Sequence, residues 1–163
     1  MTFEKIFKKK PPFIIAEVGN NHEGNFQTAL KYIDEAAKVK ADGVKFQTFK
    51  TQNFYNKSFT DKKRFKILKK YQLSYDQFFK LSKYAKRKKI IFFSTPLDLE
   101  SAIFLNKIQP LFKIASGDNN FFQLMKLIKS FNKPTIISTG IINHKEIIKI
   151  TKIFKSYENK LAL

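Results

Sequence analysis

The sequence predicts an α/β fold built on a parallel sheet, an incomplete TIM (β/α)8 barrel of about five βα units plus the start of a sixth strand. Three observations predict it. Short apolar runs alternate strictly with longer amphipathic ones, which is the pattern of βαβ units. The five units between Phe13 and Lys160 average about 29 residues, and eight would need roughly 240, near the ~250 of a closed barrel. Polar residues that do not belong in apolar strands recur at strand ends, the edge where parallel α/β folds bind ligands. A doubly wound open sheet is the competitor, since five or six strands would complete it. Against it, the first strand-to-helix turn lacks the glycine pattern GxGxxG, although flavodoxin-like folds do not require it.

Residues 1–12 read as a basic lead-in closed by Pro11-Pro12, which cannot sit inside a helix or a central strand. Residues 13–163 form the barrel portion. Its first strand, Phe13–Val18, is almost uninterruptedly apolar, as suits a strand covered on both faces. One carboxylate, Glu17, breaks the run. A carboxylate among apolar neighbours costs several kcal/mol unless something pairs with it. The strand alone leaves open whether Glu17 is a structural ion pair or a site residue. Gly19, Asn20, Asn21, Gly24 and Asn25 follow as turn and capping residues.

A helix at about 26–40 carries Leu30, Ile33, Ala36 and Ala37 on one face, with Asn25 as N-cap. The turn Ala41-Asp42-Gly43 leads into strand Val44–Thr48. A polar segment, 49–62, precedes helical patterns at 63–72 and 75–88. Strand Ile90–Ser94 is stopped by Pro96, and Asp98 begins a short helix with Ala102, Ile103 and Leu105. Strand Leu111–Ala115 ends in Ser116-Gly117-Asp118-Asn119. Phe121–Ser130 is helical, Pro134–Ser138 is the fifth strand, and a helix over 143–157 uses Ile147, Ile148, Ile150 and Ile153. Lys160–Leu163 starts the sixth strand.

Composition excludes several classes. The 163 residues carry 32 Lys+Arg against 13 Asp+Glu, a formal charge of +19, with two histidines and no cysteine. Without cysteine there is no disulfide framework and no thiolate zinc site, which fits a reducing, cytoplasmic setting. No apolar run approaches a membrane span, and the early apolar stretch is too short for a signal peptide. Nucleic acid is the obvious partner for such charge. Yet Arg64 and Arg87 are the only arginines, lysine is spread through nearly every segment, and the phenylalanines fall on core positions. The lysine excess therefore reads as solvated faces rather than a base-reading surface.

The anomalous residues cluster by position. Glu17 lies near the end of strand 1; Lys45 and Gln47 interrupt strand 2; Ser94 and Thr95 close strand 3. Lys113 interrupts strand 4, with Ser116 and Asp118 at its end, and Ser138 and Thr139 close strand 5. A buried lysine must lose its charge or find an anion. Glu17 and Asp118 could each neutralise one. Hydroxyls and amides gathered at the same edge point further, to a phosphorylated or carboxylated small molecule held by both lysines. His22 sits in the first loop on the site's side, where it could contact substrate. His144 reads as a solvated helix-start residue.

Ile15-Ala-Glu-Val-Gly-Asn-Asn-His-Glu-Gly24, Gly43-Val-Lys-Phe-Gln-Thr48, Phe93-Ser-Thr-Pro96, Phe112-Lys-Ile-Ala-Ser-Gly117 and Ile137-Ser-Thr-Gly140 occur one per βα unit. Together they resemble the N-terminal barrel of the sialic acid synthases, N-acetylneuraminate synthase and its legionaminate and pseudaminate relatives. The resemblance implies a TIM barrel that condenses phosphoenolpyruvate with an open-chain N-acetylated amino sugar such as N-acetylmannosamine and releases phosphate. It implies that Lys45 and Lys113 hold the phosphate and carboxylate, and that Thr95, Ser116 and Ser138 add hydrogen bonds. Gln47 would face the sugar, with His22 as a further substrate contact. Glu17 and Asp118 would be the catalytic carboxylates, Asp118 standing where the family usually has glutamate.

The resemblance also implies a divalent metal, Mn2+ or Mg2+, whose two histidine ligands lie on later strands not in this chain. It implies a homodimer at full length, with an antifreeze-like domain that this chain lacks. The other expectation is a catalytically silent, truncated barrel that binds anions or a partner macromolecule.

Overall fold

A computed structural model describes residues 12–55, 61–157 and 160–163. The basic lead-in, apart from Pro12, therefore lies outside the described residues, as does part of the polar segment 49–62. Six strands appear in chain order: β1 (Ile15–Gly19), β2 (Gly43–Thr48), β3 (Ile91–Pro96), β4 (Phe112–Ile114), β5 (Thr135–Ile137) and β6 (Leu161–Ala162). They form two three-stranded parallel sheets, ordered β1-β2-β3 and β4-β5-β6. Every neighbour within a sheet is the next strand in sequence, and each connection within a sheet carries at least one helix.

At the seam between the sheets the Gln109 side chain takes the place of a strand neighbour. Its amide oxygen accepts from Ser94 N at 2.8 Å and its amide nitrogen donates to Ser94 O at 3.3 Å. Buried backbone groups are thereby paired where no ladder runs.

Seven helices are described: α1 (Phe26–Lys38), α2 (Thr51–Phe54), α3 (Lys62–Tyr71), α4 (Tyr75–Arg87), α5 (Leu99–Asn106), α6 (Phe122–Ser130) and α7 (His144–Ile153). Their starts are written in local chemistry. Asn25 caps α1 by accepting from Thr28 N at 3.0 Å, and Asp98 caps α5 by accepting from Ser101 N at 2.8 Å. Ser74 with Gln77, and Asn143 with Glu146, complete reciprocal capping boxes at α4 and α7.

Strand alternation sorts the core into two faces. Val44, Phe46 and Phe92 pack with Ala29, Ile33, Phe78 and Leu81 of α1 and α4, while Phe112, Ile114 and Ile137 pack with Leu124, Ile128 and Ile150 of α6 and α7. Burying each such side chain contributes about 1.5–3 kcal/mol before ordering costs. Among the described residues no helix packs on the opposite face, and its lower layer is apolar: Phe93 and Leu111, with Ile15, Ile91 and Ile136 against them. Directly above that layer the same face turns polar, with Glu17, Lys45, Gln47, Thr95, Lys113 and Ser138.

Several expectations need correction. β1 is not covered on both faces, because Glu17 is exposed on it, and among the described residues it ends its sheet. Within the polar segment after β2 the short helix α2 forms, tied down where Thr51 N and Oγ1 both donate to Gln72 Oε1. β3 does not stop before its proline but runs to Pro96, paired with Thr48, because a last residue needs no further donor. The last helix ends at Ile153, and Ile148 stays largely exposed rather than adding to its apolar contact. Tyr157 turns back instead, donating its hydroxyl to Lys133 O at 2.5 Å. No helix among the described residues is long and apolar enough to cross a membrane.

Candidate functional site

The site begins at an irregularity in β1. Glu17 is in register with Lys45, but Gly19 pairs with Phe46, so one extra residue is accommodated between them. A bulge of this kind re-aims side chains at the end of a strand. Glu17 Oε2 meets Lys45 Nζ at 2.5 Å, the lysine 11% and the carboxylate 52% exposed. Lys45 also donates to Thr95 Oγ1 at 3.3 Å from the facing strand β3. The ammonium is thus fixed on two sides, while Glu17 keeps an edge open to water.

Lys113, one strand further on, has different surroundings. Its ammonium donates to Ile114 O at 2.5 Å and to Ser138 Oγ at 2.6 Å. Burial, and then repulsion from the Lys45 charge, push its pKa down from 10.5 to about 8, with Glu17 and Asp118 pulling the other way. That mutual influence places the two ammonium groups and both carboxylates in one electrostatic neighbourhood. Asp118, at the end of the 3-10 turn Ser116–Asp118, is partly buried, and burial raises its pKa against the pull of Lys113. A buried ammonium without a directly bonded carboxylate is poised to accept an anion.

Ser116 sits at the same edge. Its Oγ would lie 3.2 Å from a Cβ built on Gly140, so the turn after β5 closes over it. Ser116, Gly117, Asn119, Ile141 and Glu146 line a small cleft of about 140 Å³. A larger cleft, about 590 Å³, lies elsewhere, at the start of β3 among Phe79, Lys83, Lys86, Ile91 and Lys107. Its lining residues include lysines and no carboxylate.

Gln47 reaches this face beside Glu17, and Asn20 Nδ2 donates to its Oε1 at 2.7 Å. Sequence reading took Asn20 as a turn residue and missed this contact. Simple alternation puts residue 20 opposite in sense to Glu17, and only the register shift brings it level with Gln47.

His22 is not brought to the cluster. It is 1% exposed beneath the turn, its ring 6.0 Å from that of Phe46 on the helix-packed face. Its Nδ1 accepts from Gly24 N at 3.1 Å, so the proton sits on Nε2, which has no partner. Burial pushes its pKa down from 6.5 to about 4. Between those values the unfolded chain binds a proton that the folded chain refuses, so stability falls as pH drops through the window. The loss is expected to reach on the order of 3 kcal/mol below pH 4. Thermal melts from pH 7 to 4 should show it, and His22→Asn, which keeps an acceptor but does not titrate, should flatten the slope; parallel slopes would refute this assignment.

His144 is exposed at the start of α7. Among the described residues no group of three or more His, Cys, Asp or Glu could hold a metal ion. The described residues therefore supply no donor set for the implied divalent metal.

The NeuB family matches residues 32–163. The chain is 35% identical over 162 residues to pseudaminic acid synthase of Campylobacter jejuni subsp. jejuni serotype O:2, covering 92% of this chain and 47% of that protein. It is 37% identical over 150 residues to N,N'-diacetyllegionaminic acid synthase of the same organism, covering 85% and 45%. The crystal structure of an N-acetylneuraminic acid (sialic acid) synthetase from Leptospira borgpetersenii serovar Hardjo-bovis, in complex with citrate, superposes with a TM-score of 0.83 at 32% identity, covering 91% of this chain and 52% of that one. The chain spans about half the length of the curated relatives it matches.

Proposed function

The chain belongs to the NeuB family, and from that premise we propose that it carries the phosphoenolpyruvate-holding part of a nonulosonic acid synthase. The six strands then stand as the first part of an eightfold barrel, with the polar upper layer of the helix-free face as its substrate floor. The reaction joins phosphoenolpyruvate to an N-acetylated amino sugar such as N-acetylmannosamine. A bond forms from C3 of phosphoenolpyruvate to the sugar aldehyde carbon, whose oxygen takes a proton. Water adds at C2 and the C2–O bond breaks, so inorganic phosphate leaves with the bridging oxygen.

The observation that carries this reading is the pair Lys45 and Lys113, close enough to repel yet held on one face. A multiply charged anion between them would relieve that repulsion. In this assignment Lys113 and Lys45 hold phosphate and carboxylate, and Thr95, Ser116 and Ser138 orient them through hydrogen bonds. Glu17, ion-paired through Oε2 and open to solvent, takes the proton of the water that adds at C2. In the same assignment Asp118, whose pKa is raised by burial, exchanges a proton with the sugar oxygen.

Calorimetric titration tests the binding step. Phosphoenolpyruvate should bind at least about tenfold more tightly than pyruvate, which lacks the phosphate. Phosphate release should then depend on both phosphoenolpyruvate and N-acetylmannosamine, assayed with manganese supplied. Equal affinity for phosphoenolpyruvate and pyruvate would remove the anion site and with it the synthase reading.

A further inference from the structure

Nothing in the carboxylate and lysine chemistry accounts for Asn20, a half-buried amide at the end of β1 that reaches across to Gln47. We propose that Asn20 is a positioning residue that locks the Gln47 amide with its nitrogen toward the substrate, and so selects the sugar by an oxygen it presents. This inference rests on the synthase reading above, but it concerns specificity rather than phosphate binding.

The argument is one of hydrogen-bond direction. An Asn amide nitrogen can only donate, and Asn20 Nδ2 donates to Gln47 Oε1 at 2.7 Å. With its oxygen engaged, Gln47 must turn Nε2, a pure donor, the other way. Gly19 shows where that donor goes. A Cβ built on Gly19 would meet Glu17 Oε1 at 3.4 Å and Gln47 Nε2 at 3.7 Å. The bare α-carbon thus leaves a carboxylate acceptor and an amide donor flanking one small gap. Such a pair complements a sugar hydroxyl, which both donates and accepts, and the donor half also suits a carbonyl oxygen. It disfavours an ammonium, which offers the amide nothing to receive. Gly19 itself is at φ +54°, so a side chain there would be strained as well as obstructive.

Substitution can free or reverse the lock. Asn20→Ala removes the donor and leaves the Gln47 amide free to rotate. Asn20→Asp substitutes an acceptor, which should draw Gln47 Nε2 to itself and turn Oε1 toward the substrate. The measurement is calorimetric binding of phosphoenolpyruvate, and then of N-acetylmannosamine in its presence, by the unaltered chain, both variants, Gln47→Ala and the Asn20→Ala/Gln47→Ala double variant.

Sugar affinity is expected to fall about tenfold in Asn20→Ala and further in Asn20→Asp, as loss and then reversal of one hydrogen bond would give. Phosphoenolpyruvate affinity should change by less than about twofold in both. In the Gln47→Ala background, Asn20→Ala should add no further loss, since a residue acting through Gln47 has nothing left to position. Unchanged sugar affinity in Asn20→Ala, equal loss of both ligands, or additive losses in the double variant would each overturn the inference while leaving the anion site standing. Failure of the unaltered chain to bind phosphoenolpyruvate would instead overturn the parent reading, and this one with it.

Discussion

Lys113→Met is expected to weaken phosphoenolpyruvate binding by about 10- to 100-fold while leaving the melting temperature unchanged or raised. The two effects share one cause. In the free protein the Lys113 ammonium is half-buried, repelled by Lys45, and among the described residues held by Ile114 O and Ser138 Oγ. Methionine fills similar volume without a charge to desolvate, so the fold loses little. The anion, by contrast, loses a charge-assisted contact worth about 1.5–3 kcal/mol.

The pH profile gives a second readout. With its pKa down from 10.5 to about 8, Lys113 begins to lose its proton near pH 8. Anion affinity should therefore decline above pH 8, approaching tenfold per unit, while stability rises between 8 and 10.5 because there the unfolded chain holds the extra proton. The affinity trend should vanish in Lys113→Met, and the stability rise should shrink to the part owed to Lys133, whose pKa burial also lowers. Undiminished affinity in that variant, at any pH, would mean that the anion is held elsewhere.

Gly24→Ala should be the most damaging single methyl group that can be added to the described glycines. Gly24 lies at φ +80°, and a Cβ there would come 2.0 Å from the backbone oxygen of Lys70 in α3. A flexible side chain could swing away; a helix carbonyl cannot. The β1–α1 turn and α3 must separate, at a cost of about 3 kcal/mol or more. Urea denaturation measures this directly. Gly117→Ala is the control, because nothing lies within 4 Å of its Cβ position, and it should change stability by less than about 1 kcal/mol. If the two variants unfold alike, the close approach of the turn to α3 is wrong.

Much of the fold was legible because its determinants are local. The alternation of strand and helix needed only the apolar period, and the caps at Asn25 and Asp98 needed only a side chain within three residues of a free N–H. The boundaries that slipped were those set from outside the segment. Pro96 could close β3 because Thr48 was waiting as its partner, and α7 ended early because Tyr157 found the Lys133 carbonyl. At the site, the apolar strands made Lys45 and Lys113 conspicuous, since a charge in such a run needs an explanation wherever it lies. His22 was misplaced for the opposite reason: a loop histidine looks free, and its burial against Phe46 is a fact of three dimensions.

By itself the sequence determined the order of strands and helices, because the apolar period that separates them is a local property of the chain. It also determined that the polar residues collect at the strand ends. Only the tertiary structure decided who meets whom: Glu17 with Lys45, Lys113 with Ser138, Asn20 with Gln47. Those choices turn on a one-residue register shift in β1 and on distances between different strands. Hydrogen bonds act over about 3 Å, and a one-dimensional pattern carries no such distance.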